Sequence, residues 1–145
     1  MTRGSDNLTG EGVEAASAFV EAAGLKIDEM SASCVRGHVD LSQAHHTPWG
    51  VVHGGVYASA IESAASIGAS LAVREQGQFA VGVNNNTDFL RPMRAGRVDV
   101  TAEPLMQGRT QQLWQVDIVR AEDRKGVARG TVRLHNVDRP TGADA

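Results

Sequence analysis

Residue types able to do chemistry together are concentrated in one stretch, residues 47–66, which reads TPWGVVHGGVYASAIESAAS. His53, Gly54 and Gly55 open a helical run, and the first N–H groups of a helix lack intrahelical acceptors and sit at the positive end of its dipole. Two glycines there let a carbonyl or an anion approach the backbone closely. Glu62 lies eight residues after Gly54, among Ala, Ser and Ile. Burial in such surroundings would raise its pKa and suit it to act as a base or nucleophile near neutrality. Ser66 follows one helical turn later on the same face, where it could orient the carboxylate or a water. Each residue also has a structural reading: a plain helix start, a buried Glu satisfied by serines, a small residue easing close packing.

His53 and Glu62 are nine residues apart, roughly 13 Å along one helix. They cannot meet on one reacting group within a single chain. If they cooperate, the helix start of one protomer must face the mid-helix Glu of another, and the site is built at a dimer interface.

The elements around this stretch follow from pattern. Residues 11–23 place Val13, Ala16, Val20 and Ala23 on one stripe, which predicts a short amphipathic helix ended by Gly24. Residues 25–30 and 32–41 read as strands, and 45–52 as a loop punctuated by Pro48 and Gly50. From Gly54 to about Arg74 the chain has no Pro and is apolar all round, the mark of a helix buried on most sides. It is long enough to span a bilayer, but Glu62 and four serines argue against lipid. Strands are then expected at 79–83 continuing into 87–90, and at 97–105, 111–120 and 127–136. Asn84, Asn85 and Asn86 interrupt the first of these and are expected to face solvent or an interface. The order predicts an α+β domain, an antiparallel sheet wrapped around a long central helix. One sheet cannot cover such a helix, so edge-to-edge pairing of two protomers is expected.

The chain has 145 residues, 41% hydrophobic and 21% charged, in keeping with one globular domain over residues 1–145. Residues 1–10 and 138–145 read as disordered tails. A single cysteine, Cys34, and no apolar leader at the start predict a reducing, cytoplasmic setting. A net charge of −3 argues against nucleic acid as partner. The charge is uneven: residues 1–90 balance to −6 and residues 91–145 to +3. A basic second half could face a small polyanion such as a nucleotide phosphate, or simply carry solvated Arg on strand faces.

His53-Gly54-Gly55 with Glu62-Ser63 nine and ten places after the His resembles the hotdog-fold acyl-CoA thioesterases of the phenylacetate-pathway type. Within them the chain is most similar to the glutamate-using branch, the 4-hydroxybenzoyl-CoA and 1,4-dihydroxy-2-naphthoyl-CoA thioesterases. The likeness continues through Phe89-Leu90-Arg91-Pro92, Gly96 and Pro104 to Arg109, and on to Trp114. The resemblance implies a hotdog fold and hydrolysis of an acyl- or aroyl-CoA to free acid and CoA, without a cofactor. It implies that the Gly54 N–H polarises the thioester carbonyl and that His53 helps hold that pocket. Glu62 of the partner chain would be nucleophile or general base, with Ser66 positioning water or carboxylate. Arg91 and the turn Gly108, Arg109 and Thr110 fall where such proteins hold CoA phosphates, and the assembly implied is a homodimer or homotetramer. Thr47 departs from the pattern: this branch often carries Gln or Asn there, reaching toward the carbonyl.

Other chemistries find less in the sequence. No nucleophile elbow, P-loop or dinucleotide fingerprint is present. His45, His46 and His53 have no Cys or carboxylate at ligand spacing, so no metal is expected. Trp49 and Tyr57 suggest a compact aromatic acyl pocket. A hotdog hydratase or dehydratase, or a non-catalytic acyl-CoA-binding oligomer, are the alternative functions.

Overall fold

The computed structural model describes residues 17–140; the first six residues of the helix expected over 11–23 and the opening tail lie outside them. Helix α1 (Ser17–Ala23) leads into strands β1 (Lys26–Met30) and β2 (Val35–Leu41), and helix α2 (Gly54–Val73) follows. Strands β3 (Gln78–Phe89), β4 (Gly96–Gln107), β5 (Gln111–Arg120) and β6 (Gly126–Asp138) complete the chain. The six strands form one antiparallel sheet in the order β1-β2-β4-β5-β6-β3, which leaves β1 and β3 as its edges.

α2 packs on the sheet through small residues. Ala60, Ile61, Ala64, Ala65, Gly68 and Ala69 recur at three- and four-residue spacing and are all buried. Gly68 is required at this approach, because a Cβ there would run into the fully buried ring of Trp114 on β5. The opposite face of α2, with Ser59, Glu62, Ser63, Ser66 and Ile67, is partly or fully exposed. The expectation of a helix buried on most sides is therefore not met within one chain: a single sheet covers one face.

Three boundaries differ from the sequence reading for local reasons. β2 begins at Val35 rather than 32, because the Ser31 hydroxyl accepts the N–H groups of Ser33 and Cys34 and closes a tight turn. β3 is one continuous strand through Asn84, Asn85 and Asn86, with a register shift between Gly82 and Asn84. β6 continues to Asp138, and the Arg139 N–H donates to Gly77 O at 2.9 Å, so residues 138 and 139 belong to the fold rather than to a tail.

One polar cluster is buried beneath the sheet end. Gln112 Nε2 donates to Ala69 O and to Asn136 Oδ1, both at 2.9 Å, while Gln112 Oε1 accepts from Trp114 Nε1 at 2.9 Å. Asn136 Nδ2 in turn donates to the carbonyls of Gly108 and Arg109, each at 3.1 Å. Buried polar groups satisfied in this way fix a unique arrangement. Here they tie the β4–β5 turn to the second half of α2.

Candidate active site

His53 is the N-cap of α2, and its Nδ1 accepts the Gly55 N–H at 2.8 Å. The Val56 N–H goes to His53 O at 3.0 Å. Because Nδ1 is an acceptor, the neutral ring carries its proton on Nε2 and presents it as a donor. Among the described residues the Gly54 N–H has no acceptor. The helix start thus offers two donors at the positive end of its dipole, an arrangement fitted to a carbonyl on which negative charge develops. Phe89 closes one side: a Cβ at Gly54 would stand 2.7 Å from Phe89 Cζ. Phe89 and Tyr57 form a tilted pair with centroids 6.3 Å apart.

Glu62 is exposed rather than buried in the single chain, a correction to the sequence expectation. The reason is its place on the face of α2 turned from the sheet. Its carboxylate leans over the edge strand, where a Cβ added at Gly82 would lie 3.2 Å from Glu62 Oε1. Asn85 ties the same helix turn to β3, its Nδ2 donating to Ala58 O at 3.1 Å. The Thr87 hydroxyl donates to Asn85 Oδ1 at 2.7 Å and fixes the orientation of that amide. Gly82, Asn85 and Thr87 carry no sequence motif, and their roles emerge only from the pairing of α2 with β3. Ser66 is half-buried one turn beyond Glu62.

Thr47 is tied into its own loop, with its hydroxyl proton still free to donate. Its hydroxyl accepts the Trp49 N–H at 3.3 Å, and its N–H donates to Val51 O at 2.7 Å. Trp49 is 83% exposed and Tyr57 is buried in the core, so within one chain the two do not line a common pocket. The cavity at the helix start is instead bounded by α1. It is an open cleft of about 330 Å³ lined by Phe19, Ala22 and Ala23 of α1, by His53, Gly55, Val56 and Ser59 at the start of α2, and by His45 and His46.

The basic residues are not brought together within one chain. Arg91 Nη1 donates to Gly126 O at 2.7 Å and is half-buried. Arg109 is exposed in the turn held by Asn136. Gly126 and Asn136 are ten residues apart on β6, about 33 Å of strand. Arg91 therefore lies at the His53 end of the sheet and the Gly108–Arg109–Thr110 turn at the opposite end. Arg97, Arg120, Arg124 and Arg129 pair with Asp99, Asp123, Asp99 and Asp117 respectively. For those four, the reading as strand-face charges suffices.

Residues 50–127 match the family described as Thioesterase superfamily. A Mycobacterium tuberculosis protein named "Putative esterase Rv1847" is 47% identical over 117 residues, 79% of this chain and 83% of the relative. The solved structure of that protein has a TM-score of 0.81 at 44% identity and covers 86% of this chain and 99% of that one. The 1,4-dihydroxy-2-naphthoyl-CoA hydrolase of Listeria monocytogenes is 32% identical over 98 residues, 68% of this chain and 79% of the relative. The structure of thioesterase HI1161 from Haemophilus influenzae has a TM-score of 0.79 at 28% identity, covering 94% of this chain and 90% of that one. With an antiparallel sheet around one long helix and these relatives, the chain belongs to the thioesterase superfamily, has its hotdog fold and is a thioester hydrolase.

Proposed function

We propose that the protein hydrolyses an acyl- or aroyl-CoA to free acid and CoA at a site shared between two protomers. One protomer supplies His53 and Gly54, and its partner supplies the carboxylate at position 62. The observation that carries this reading is the separation of two unfinished half-sites on one helix. The free donors at Gly54 and the exposed carboxylate of Glu62 are eight residues apart, about 12 Å. A nucleophile and its oxyanion donors must both lie about 3 Å from one reacting group.

The edge strand gives a route to closing that gap. Val83, Phe89 and Leu90 leave 57%, 59% and 54% of their surface exposed along and just beyond β3. Pairing β3 with a second copy would cover this apolar edge. Gly54 lies beside Phe89 and Glu62 over Gly82, so an antiparallel pairing that sets residue 82 opposite the partner's residue 89 aligns the two half-sites. The two-fold axis for that register passes between residues 85 and 86, inside the strand. The same pairing brings the Gly108–Thr110 turn of one chain toward the Arg91 end of the other, so the two basic groups would serve one CoA from different protomers. Doubling of the dimer to a homotetramer and a cytoplasmic location complete the proposal.

In this mechanism the donors of Gly54 and His53 hold the thioester oxygen. Glu62 either attacks the carbonyl carbon, giving an anhydride that water opens, or removes a proton from an attacking water. In both cases the C–S bond breaks, CoA leaves as the thiolate and takes up a proton, and Ser66 positions the water or carboxylate. Each donor at such an oxyanion site is worth on the order of 100- to 1,000-fold in rate.

Thiol release from a panel of CoA esters tests the activity and excludes the hydratase and the non-catalytic binder. Glu62→Ala and Gly54→Val, each inactive alone, should restore substantial turnover when reassembled as mixed dimers, since one of the two sites then carries neither defect. Verified mixed dimers that stay inactive would refute the shared site.

A further inference from the structure

We infer that Asn136, itself oriented by Gln112, is a positioning residue for the nucleotide end of CoA: it turns two peptide units of the β4–β5 turn so that their N–H groups face a phosphate. The inference rests on the CoA-ester reading proposed above and concerns the end of the substrate remote from the thioester.

The geometry starts with three consecutive carbonyls. Asn136 Nδ2 donates to Gly108 O and Arg109 O, each at 3.1 Å, and the Asn136 N–H donates to Thr110 O at 2.8 Å. In a trans peptide unit the C=O and the following N–H point in opposite directions. Holding the Gly108 and Arg109 carbonyls inward therefore turns the Arg109 and Thr110 N–H groups outward. Neither N–H has an acceptor among the described residues, whereas the Gly108 N–H closes the turn on Gln111 O at 2.8 Å. Arg109 and Thr110 are both exposed. Successive outward N–H groups make an anion-binding concavity, and the Arg109 guanidinium and Thr110 hydroxyl belong to the same two residues. All of these groups can donate to phosphate oxygens.

The Asn136 amide can do this in only one of its two orientations. Flipped, its oxygen would face the carbonyls of Gly108 and Arg109 and repel them. Gln112 sets the choice. Its Nε2 donates to Ala69 O, and its Oε1 accepts from the indole N–H of Trp114, a group that can only donate. The second N–H of that Nε2 is left for Asn136 Oδ1, at 2.9 Å, which leaves Asn136 Nδ2 toward the turn. Gln112 is fully buried and Asn136 nearly so, which shields these bonds from competing water. A fixed polarity thus runs from α2 and the Trp114 ring to the rim of the turn. An apolar side chain of equal size would fill the space and set neither peptide plane.

The test compares the wild type with Asn136→Leu, which keeps the volume and loses the amide. Calorimetry with CoA should show affinity falling about tenfold or more, the value of a charge-assisted hydrogen bond no longer held in place. In thiol-release assays KM for benzoyl-CoA should rise at unchanged kcat, the mark of lost uniform binding. Benzoyl-pantetheine, which carries no phosphate, should be hydrolysed equally by both proteins. Dephospho-CoA assigns the phosphate: if it binds the wild type as CoA does, the diphosphate occupies the turn, and if more weakly, the 3′-phosphate does. If Asn136→Leu fails to fold, the wild-type amide resonances of Arg109 and Thr110 decide, shifting with CoA and not with pantetheine. Amides unmoved by CoA, a folded variant with unchanged CoA affinity, or an equal loss on benzoyl-pantetheine would overturn the positioning role and leave the thioesterase site standing. A wild type that binds no CoA overturns the CoA-ester reading and this inference with it.

Discussion

Gly82→Ala is the sharpest probe of Glu62, because it touches the carboxylate and almost nothing else. An ideal Cβ at Gly82 lies 3.2 Å from Glu62 Oε1, 3.4 Å from Cδ and 3.7 Å from Cγ. The carboxylate must then withdraw by a few tenths of an ångström. Misplacement by about 1 Å can cost on the order of 100-fold in rate, so 0.3–0.5 Å scales to a loss of about four- to tenfold in kcat. Stability should move the other way. Gly82 does not have a positive φ, so Ala fits the strand and restricts the unfolded chain, a gain of about 0.4–1 kcal/mol. The expected result is a lower kcat at an unchanged or raised Tm, measured by thiol release and thermal denaturation. In the Glu62→Asp background the shorter side chain no longer meets the new methyl, and the effect of Gly82→Ala should largely vanish, as a double-mutant cycle would register. An unchanged kcat, or an equal loss in both backgrounds, would refute the placement of Glu62 against β3.

Three further outcomes are expected. His53→Ala loses both the helix cap and the Nε2 donor, costing about 1 kcal/mol of stability and on the order of 100-fold in kcat, whereas His53→Asn keeps a capping acceptor and should lose the rate alone. Burial pushes the Tyr57 phenol up to about 12, and its hydroxyl has no partner among the described residues. The unfolded chain ionises near pH 10 and the folded one only near 12, so stability is full below 10 and falls by about 2 kcal/mol between the two; Tyr57→Phe should abolish that slope in urea titrations and gain about 1 kcal/mol at neutral pH. Gly68→Ala drives a methyl into the Trp114 ring and should cost about 1–3 kcal/mol in denaturant unfolding, a loss that a smaller residue at position 114 would partly relieve.

The fold was legible wherever pattern alone decides the element. A long Pro-free apolar run gave α2, and alternation in residues 111–120 gave β5 to the residue. What the sequence hid depends on partners distant in the chain. Asn84, Asn85 and Asn86 look like a break, yet Asn85 finds its acceptor at Ala58, 27 residues earlier, and the strand runs through. Arg91 looks like a free cation, yet it bonds the Gly126 carbonyl, 35 residues later. Trp49 and Tyr57 are near the motif in sequence, but the loop turns one outward and the helix turns the other onto the sheet. Of the site, His53, Gly54 and Glu62 could be picked out by type and spacing. The α1 cleft could not, since only the packing of α1 against α2 brings Phe19 and Val56 to line it.

The exposure of Glu62 and the exposure of the β3 edge have one cause. A helix with small residues on one face can sit close against a sheet, but the serine-bearing face then needs a second cover. In the isolated chain water supplies it, and a solvated carboxylate gains no reactivity from burial. Association through β3 would change that environment in a single step: it would pair the free strand edge, cover Val83 and Phe89, and remove water from Glu62. The same step would bring the partner's uncapped Gly54 N–H toward the carboxylate. Desolvation that raises a carboxyl pKa is costly for folding unless something else offsets it, and the apolar edge provides that offset. Catalytic competence and assembly would then draw on the same buried surface. On this account Val83 bears on activity without touching substrate, while Phe89 both covers the edge and walls the helix start at Gly54.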